Sequence, residues 1–481
     1  MSKLVFNPCL PENEYIPDGE PYVFNGRLYV YGSHDRFNAS IFCMNDYVCW
    51  SAPVTDLGDW KYEGVIYSKR QDPGNRLGFH LLFAPDVVQG ADGRFYLYYS
   101  FDFTGTMGVA VCDSPCGRFL FLGCIRHPDG QKMGRKSGDP FMFDPGILRD
   151  DDGKIYLYSG FGIPVTPLAT GGVGLESGGG YAMELEKDML TVKGKPELIF
   201  PKAGPQAFLN HEFFEASSIR KYDGMYYFVY SSRHNHELCY AYSRSPVRDF
   251  VYGGTLVSNG DINVDKGDDE KGAANYTGNN HGGLLKLDGE YYIFYHRQTN
   301  RHSYSRQLCA EHLRKGADGI FLQAEMTSCG LNCGPLPGKG RYEARIACNL
   351  WSAYGTGRYD TAFSKLKYFR HPYFTQSGSD RNKKAKAYIA NMRDGAVAGF
   401  KYFNMDGADS IEIEYRGKAD GKIEVAGEKD FSDPAAVIPV KTKSCGKTIV
   451  SGRLNISRGK TALFFKFVGK GKIDFMAFTF C

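Results

Sequence analysis

The chain has 481 residues, enough for two domains, with 15% aromatic residues and 58 glycines, a profile that suits many short strands joined by tight turns. Its net charge of +4 is unevenly divided: residues 340–481 carry 25 Lys and Arg against 14 Asp and Glu, which leaves 33 against 40 for residues 1–339. That asymmetry is read as ordinary surface charge, with complementary docking of the two halves as a second possibility, so no nucleic-acid partner is expected; no apolar run is long enough to cross a membrane.

Residues 1–17 read as a lead-in that helps close a ring of repeats, and they show no apolar signal-peptide core. The 13 cysteines are odd in number and scattered, and the spacing of Cys112/Cys116 and Cys329/Cys333 matches no common zinc motif. Free thiols in a reducing cytoplasm are therefore the expectation. From Asn25 onward one phrase recurs: NGRLYVY at Asn25, DGRFYLY at Asp92, DGKIYLY at Asp152, DGMYYFV at Asp223 and DGEYYIF at Asp288. Asn-Gly or Asp-Gly before an aromatic and aliphatic run is a hairpin turn followed by a strand. The intervals of 67, 60, 71 and 65 residues are those of a β-propeller with one sheet per repeat. Third strands repeat in phase as VCWSAP, VAVCDSP and YAYSRSP.

Six to eight residues before each turn stands a polar residue in an otherwise apolar strand: Asp18, Asp86, Asp144, Glu215 and His281. The first strand of a blade lines the central channel, so matched offsets bring four carboxylates and an imidazole toward one axis. Taken singly, each would pass for a cap or turn residue; the repetition argues against that. The Gly-rich run GGVGLESGGG at 171–180 lacks both the spacing and the following helix of a phosphate cradle and reads as a flexible loop over the propeller face. The chain thus divides into a five-bladed propeller over 1–330, a linker over 331–340 within the Gly- and Pro-rich run CGLNCGPLPGKG, and a β-sandwich over 341–481, where alternating segments such as SIEIEYRG and TALFFKFVG follow without the repeat.

Glycoside hydrolysis needs one protonated carboxyl for the leaving oxygen and one ionised carboxylate for water or carbon. Glu215 follows Phe213 and Phe214, where desolvation and neighbouring charge should raise its pKa, as suits a general acid. Asp18 lies in the more polar Pro17-Asp18-Gly19-Glu20 and suits a base that stays ionised, with Asp144 supplying the charge that keeps Glu215 protonated.

The motifs PDGEPYVF, FDPGILRDDDGKIYLYSG and FFEASSIRK, in this order, resemble glycoside hydrolase family 43, and the resemblance spans about residues 1–330. It implies a five-bladed propeller that inverts the anomeric centre of arabinose- or xylose-containing plant cell-wall oligosaccharides. Asp18 is then the base, Asp144 the pKa modulator and Glu215 the acid. It further implies that His281, in NNHGG, is the axial histidine beside a calcium ion, and that Arg306, in YSRQLCAE, reaches the sugar or the catalytic carboxylates. Read alone, these are a hydrogen-bonded channel residue and an interblade salt bridge. Phe83, in Phe83-Ala84-Pro85-Asp86, stands where many members have Trp and offers a stacking face without an indole N–H; Asp86 binds a sugar hydroxyl or a structural turn. The stretch IANMRDGAVAGFKYFNM and the ending GKGKIDFMAFTF resemble a family 6 carbohydrate-binding module. The expected activity is that of an exo-acting α-L-arabinofuranosidase, with β-D-xylosidase, endo-arabinanase and a non-catalytic glycan-binding propeller as alternatives.

Overall fold

The computed structural model describes residues 3–102, 104–264, 272–443 and 445–481. The first four blades are four-stranded antiparallel meanders. Blade one holds β1 to β4 (Glu20–Phe24, Arg27–Tyr31, Tyr47–Pro53, Lys61–Tyr67) and blade two β5 to β8 (Asp86–Gln89, Phe95–Ser100, Met107–Cys112, Leu120–Cys124). Blade three holds β9 to β12 (Gly146–Arg149, Ile155–Phe161, Gly179–Leu185, Val192–Pro201) and blade four β13 to β16 (Phe213–Tyr222, Met225–Ser232, Glu237–Ser243, Val251–Ser258). Blade five has β17 to β19 (Leu284–Leu287, Glu290–Thr299, His302–Leu313). Its open edge is taken by the lead-in: the Cys9 N–H donates to Leu308 O at 2.9 Å, and the Ala310 N–H to Asn7 Oδ1 at 2.9 Å.

The repeated turns have a steric cause. Asn25-Gly26, Asp223-Gly224 and Asp288-Gly289 all sit at positive φ in both positions, the mirror-image turn whose twist matches that of paired strands. The strands that follow are almost wholly buried, because each sheet packs a neighbour on both faces. One apolar cluster fills each interface around the ring. Tyr31, Leu97 and Phe119 lie between blades one and two; Tyr98, Leu157 and Met183 between two and three; and Tyr158, Phe228 and Phe200 between three and four. Val229, Ile293 and Phe321 join four to five, and Val30, Phe294 and Leu308 join five to one. Val5 and Leu10 of the lead-in belong to this last cluster, so the N-terminal segment seals the ring closure.

Twelve further strands form two facing six-stranded sheets. They are β20 to β25 (Leu336–Pro337, Gly340–Glu343, Asn349–Trp351, Tyr373–Gln376, Ala387–Met392, Val397–Met405) and β26 to β31 (Ser410–Arg416, Ala419–Ala426, Ala436–Thr442, Lys447–Arg453, Gly459–Gly471, Ile473–Phe480). One sheet runs β20-β25-β30-β27-β28 with β22 beside β25, the other β23-β24-β31-β26-β29 with β21 beside β31. Phe400, Phe465, Phe475 and Phe478 interlock between them. The chain is therefore all-β, a five-bladed propeller followed by a sandwich. The segment 331–340 is not free chain, since β20 pairs with β25 and Leu336 is buried. The Gly-rich run is tied down as well: the Glu176 N–H donates to Asp139 O, Glu176 O accepts the Phe141 N–H, and Leu175 is buried against Phe141 and Phe143.

The sandwich docks along blades four, five and one through buried polar contacts. Lys401 Nζ lies 2.8 Å from both Asp261 and Glu325. Arg297, from β18, donates to Ala347 O at 2.9 Å beneath the ring of Phe374. No helix among the described residues is long and apolar enough to cross a membrane.

Candidate active site

Asp18, Asp144, Glu215 and His281, four of the five inner-strand polar residues, line one cavity. Asp18 and Asp144 each lie two residues before an inner strand, β1 and β9, with φ of +57° and +47°. Aspartate tolerates this left-handed conformation better than most residues, but it still stores strain, and such strain clusters at functional sites. Glu215 lies inside β13, where the pairing with β14 shifts register on both sides of it, and Ala216 has φ of +71°. This bulge turns the Glu215 side chain out of the ladder toward the axis.

The three carboxylates line one cavity of about 200 Å³. Phe42, Phe83, Phe143 and Phe214 form its apolar wall; Arg306, His281, Asn279 and Asn235 complete the lining. Arg306 is the cation of the site. Its Nη1 donates to Asp18 Oδ1 at 3.0 Å, while Nε and Nη2 grip the two oxygens of Asp35 at 2.9 and 3.0 Å, and the guanidinium lies over the Phe42 ring at 4.8 Å. The Ala216 N–H donates to Asp144 Oδ2 at 3.2 Å, which ties Asp144 to the residue after Glu215.

Burial dominates the protonation states. It pushes the Glu215 carboxyl up to about 8, with the Asp18 charge adding to the rise and Arg306 opposing it. It pushes Asp18 up to about 6, against the pull of Arg306. Asp18 is thus not held in the ordinary carboxylate range that its polar sequence neighbours suggest, because the folded site is drier than those neighbours; it nonetheless ionises before Glu215. Asp144 is raised well above its usual range by burial and by the charges of Glu215 and Asp18.

Below this layer lies a second buried tier. Arg220 Nη2 reaches Glu20 Oε2 at 2.5 Å across the channel and lies over the Tyr22 ring. Asp86 belongs to this tier and not to the cavity, which corrects the substrate-binding expectation. It is fully buried, accepts from Tyr22 Oη at 2.6 Å and Val87 N at 2.8 Å on one oxygen, and from Ile147 N at 2.8 Å on the other. His281 stands between the tiers, with Nδ1 3.6 Å from Asp144 and Nε2 4.0 Å from Glu20 Oε1. Burial lowers its pKa to about 3, so its ring is neutral.

Several residues at the site escaped the sequence reading. Asp35, at the end of the GSHD segment after β2, orients Arg306; the recurrence of polar residues at second-strand ends was the available signal. His296, on β18, accepts the Asp18 N–H at 3.4 Å through Nδ1 while Nε2 faces Asn279 O at 2.7 Å. The loop over 36–45, which carries Phe42, is held by the sandwich. Asp380 accepts the Phe37 N–H at 2.7 Å and Asn45 Nδ2 at 3.3 Å, and Lys365 Nζ donates to Asn38 Oδ1 at 2.6 Å.

Comparison with known proteins agrees with this geometry. Residues 15–321 match the glycosyl hydrolases family 43. Over the full length of both chains, the protein is 46% identical to a xylosidase/arabinosidase of Thermoclostridium stercorarium. A crystal structure of a family 43 arabinoxylan arabinofuranohydrolase from Bacillus subtilis, with cellotetraose, shares the fold at a TM-score of 0.51 and 21% identity, covering 98% of this chain and 97% of that one. A family 43 β-xylosidase/α-arabinofuranosidase from a compost metagenome, solved with xylotriose in a calcium-free form, aligns at a TM-score of 0.50 and 25% identity over 67% of this chain and 97% of its own.

Proposed function

The chain belongs to glycosyl hydrolase family 43, and we propose that this glycoside hydrolase is an inverting, exo-acting enzyme that removes terminal α-L-arabinofuranosyl and β-D-xylosyl residues from arabinoxylan- or arabinan-derived oligosaccharides. The observation that carries the reading is the set of three carboxylates on one small cavity, with Glu215 raised above Asp18 and Asp18 paired to arginine. A binding scaffold has no use for carboxylates held at such cost. At about 200 Å³ the cavity is below the usual range for drug-sized ligands and suits one sugar ring, which favours exo action.

In this reading Glu215 delivers its proton to the leaving oxygen and ionised Asp18 takes a proton from the attacking water. Arg306 keeps Asp18 ionised, burial and the Asp18 charge keep Glu215 protonated, and Asp144, bonded to the Ala216 N–H, positions the strand residue beside the acid. Asp18 and Glu215 come from blades one and four, which are not neighbours in the ring; that separation favours the wider carboxyl spacing of about 6.5–9.5 Å that admits a water. The phenylalanine wall excludes other water and offers faces for a pentose. Activity toward both pentoses, rather than arabinose alone, is favoured by the full-length relative named for both.

The axis also fits a hard cation. Glu20 Oε1 is buried without a hydrogen-bond partner, 4.0 Å from His281 Nε2. Glu20 would supply a direct oxygen ligand and His281 would bind through water, with further waters completing the shell. Such an ion would add positive charge beneath the sugar site. Hydrolysis of aryl α-L-arabinofuranoside and aryl β-D-xyloside, followed by proton NMR of the first-formed sugar, tests the proposal. Inverted product is expected from both; retained configuration would remove Asp18 from the role of base.

A further inference from the structure

Outside the catalytic cavity, one cluster of side chains among the described residues has metal-ligand chemistry. His211 lies just before β13, and Glu237 and Cys239 lie on β15. His211 Nδ1 is 2.7 Å from Glu237 Oε1 and 3.7 Å from Cys239 Sγ, and the three donor atoms all lie within 4.8 Å of one another. We propose that His211, Glu237 and Cys239 form a binding site for a borderline divalent metal ion of the zinc or cobalt(II) type, with its fourth position open to water.

Four features carry this. The donor set of one imidazole nitrogen, one carboxylate oxygen and one sulfur is the set zinc prefers, and bonds of about 2.0–2.3 Å put tetrahedral ligands about 3.3–3.8 Å apart. The nitrogen-to-sulfur distance already has that value, and the nitrogen-to-oxygen distance needs only a small opening. Second, the ligands are oriented by their surroundings. Ser232 and Thr255 donate to the two oxygens of Glu237 at 2.6 and 2.8 Å, and Tyr252 stacks on the His211 ring at 5.0 Å. Such outer partners fix ligand geometry. Third, the site has one wet side. Glu237 and Cys239 are buried, but the His211 side chain is 28% exposed, which gives an entry path and room for a water ligand. Fourth, an ordinary His–Glu ion pair does not require a thiol against the same nitrogen. Metal binding would convert the thiol to a metal thiolate with release of its proton to solvent.

The site would pin the start of β13, the strand that carries Glu215, to β15. It does not depend on the sugar specificity proposed above. The test uses the full chain after chelation, titrated with Zn2+ and, separately, Co2+. One equivalent of Zn2+ should bind with proton release and raise the melting temperature, and Co2+ should give thiolate-to-metal charge-transfer absorption. Cys239→Ser should abolish that absorption and weaken Zn2+ binding at least tenfold. His211→Gln, at the half-exposed position, should weaken it similarly and covers the case in which the serine variant does not fold. Failure of the wild-type chain to bind Zn2+ stoichiometrically would overturn the proposal. So would charge-transfer absorption that survives in Cys239→Ser, since it would place the thiolate at one of the exposed residues Cys333, Cys445 or Cys481.

Discussion

Replacing Glu215 by glutamine should abolish general-acid catalysis and at the same time make the fold more stable, by an amount that grows with pH. The carboxyl is raised from 4.5 to about 8 in the folded chain, mainly by burial. Below pH 4.5 it is protonated in both states and costs nothing. As pH rises toward 8 the unfolded chain releases a proton that the folded chain keeps, so the unfolded state binds fewer protons and stability falls with pH; above 8 the loss is constant. At about 1.36 kcal/mol per pH unit the full interval corresponds to about 5 kcal/mol. Relaxation around a buried charge reduces the effective penalty, here taken as about 2–3 kcal/mol. With an unfolding entropy of about 2.1 cal/mol/K per residue over a propeller of about 300 residues, each kcal/mol moves the midpoint by about 1.5 °C. Glu215→Gln should therefore melt about 3–4 °C above wild type at pH 8.5, with that advantage vanishing near pH 4.5. Differential scanning calorimetry across pH measures it. A difference that is constant with pH, or that shrinks as pH rises, would refute the reasoning that Glu215 is a protonated acid strained by burial.

The pH profile of kcat/KM should be a bell, rising through about 6 as Asp18 ionises and falling through about 8 as Glu215 deprotonates; a plateau extending beyond pH 9 would contradict the assignment. Asp35→Asn removes a negative charge that helps raise Asp18, so the acidic limb should move down by up to about one pH unit while the alkaline limb stays. Asp380→Ala removes the sandwich carboxylate that accepts the Phe37 N–H, so the Phe42 loop should loosen. KM should rise about five- to tenfold with a smaller change in kcat, the equivalent of about 1–1.4 kcal/mol of lost positioning; unchanged steady-state constants would show that the sandwich does not shape the pocket.

How much of this could be read from the chain depends on whether a contact is repeated by the fold. Asp18, Asp144, Glu215 and His281 were visible because a ring of blades returns the same inner-strand position to the same axis every 60 to 71 residues. Asp86 occupies that position too, and the periodicity alone misplaced it. Depth along the channel is set by how far each strand slides on its neighbour, and the N–H of Ile147 and the hydroxyl of Tyr22 reach Asp86 only after blades three and one have docked beside blade two. The Glu20–Arg220 pair was hidden for the same reason, since its partners are 200 residues apart and face each other only across the closed ring. Asp380 lies further still from repetition, reaching Phe37 from a different domain 343 residues away. Its role follows from charge and loop geometry together: a backbone N–H at the pocket rim needs an acceptor, the loop supplies none there, and the sandwich brings a carboxylate to it. The carboxylates proposed as catalytic are therefore a property of the repeat, whereas the Phe42 side of the pocket wall depends on how the second domain sits on it.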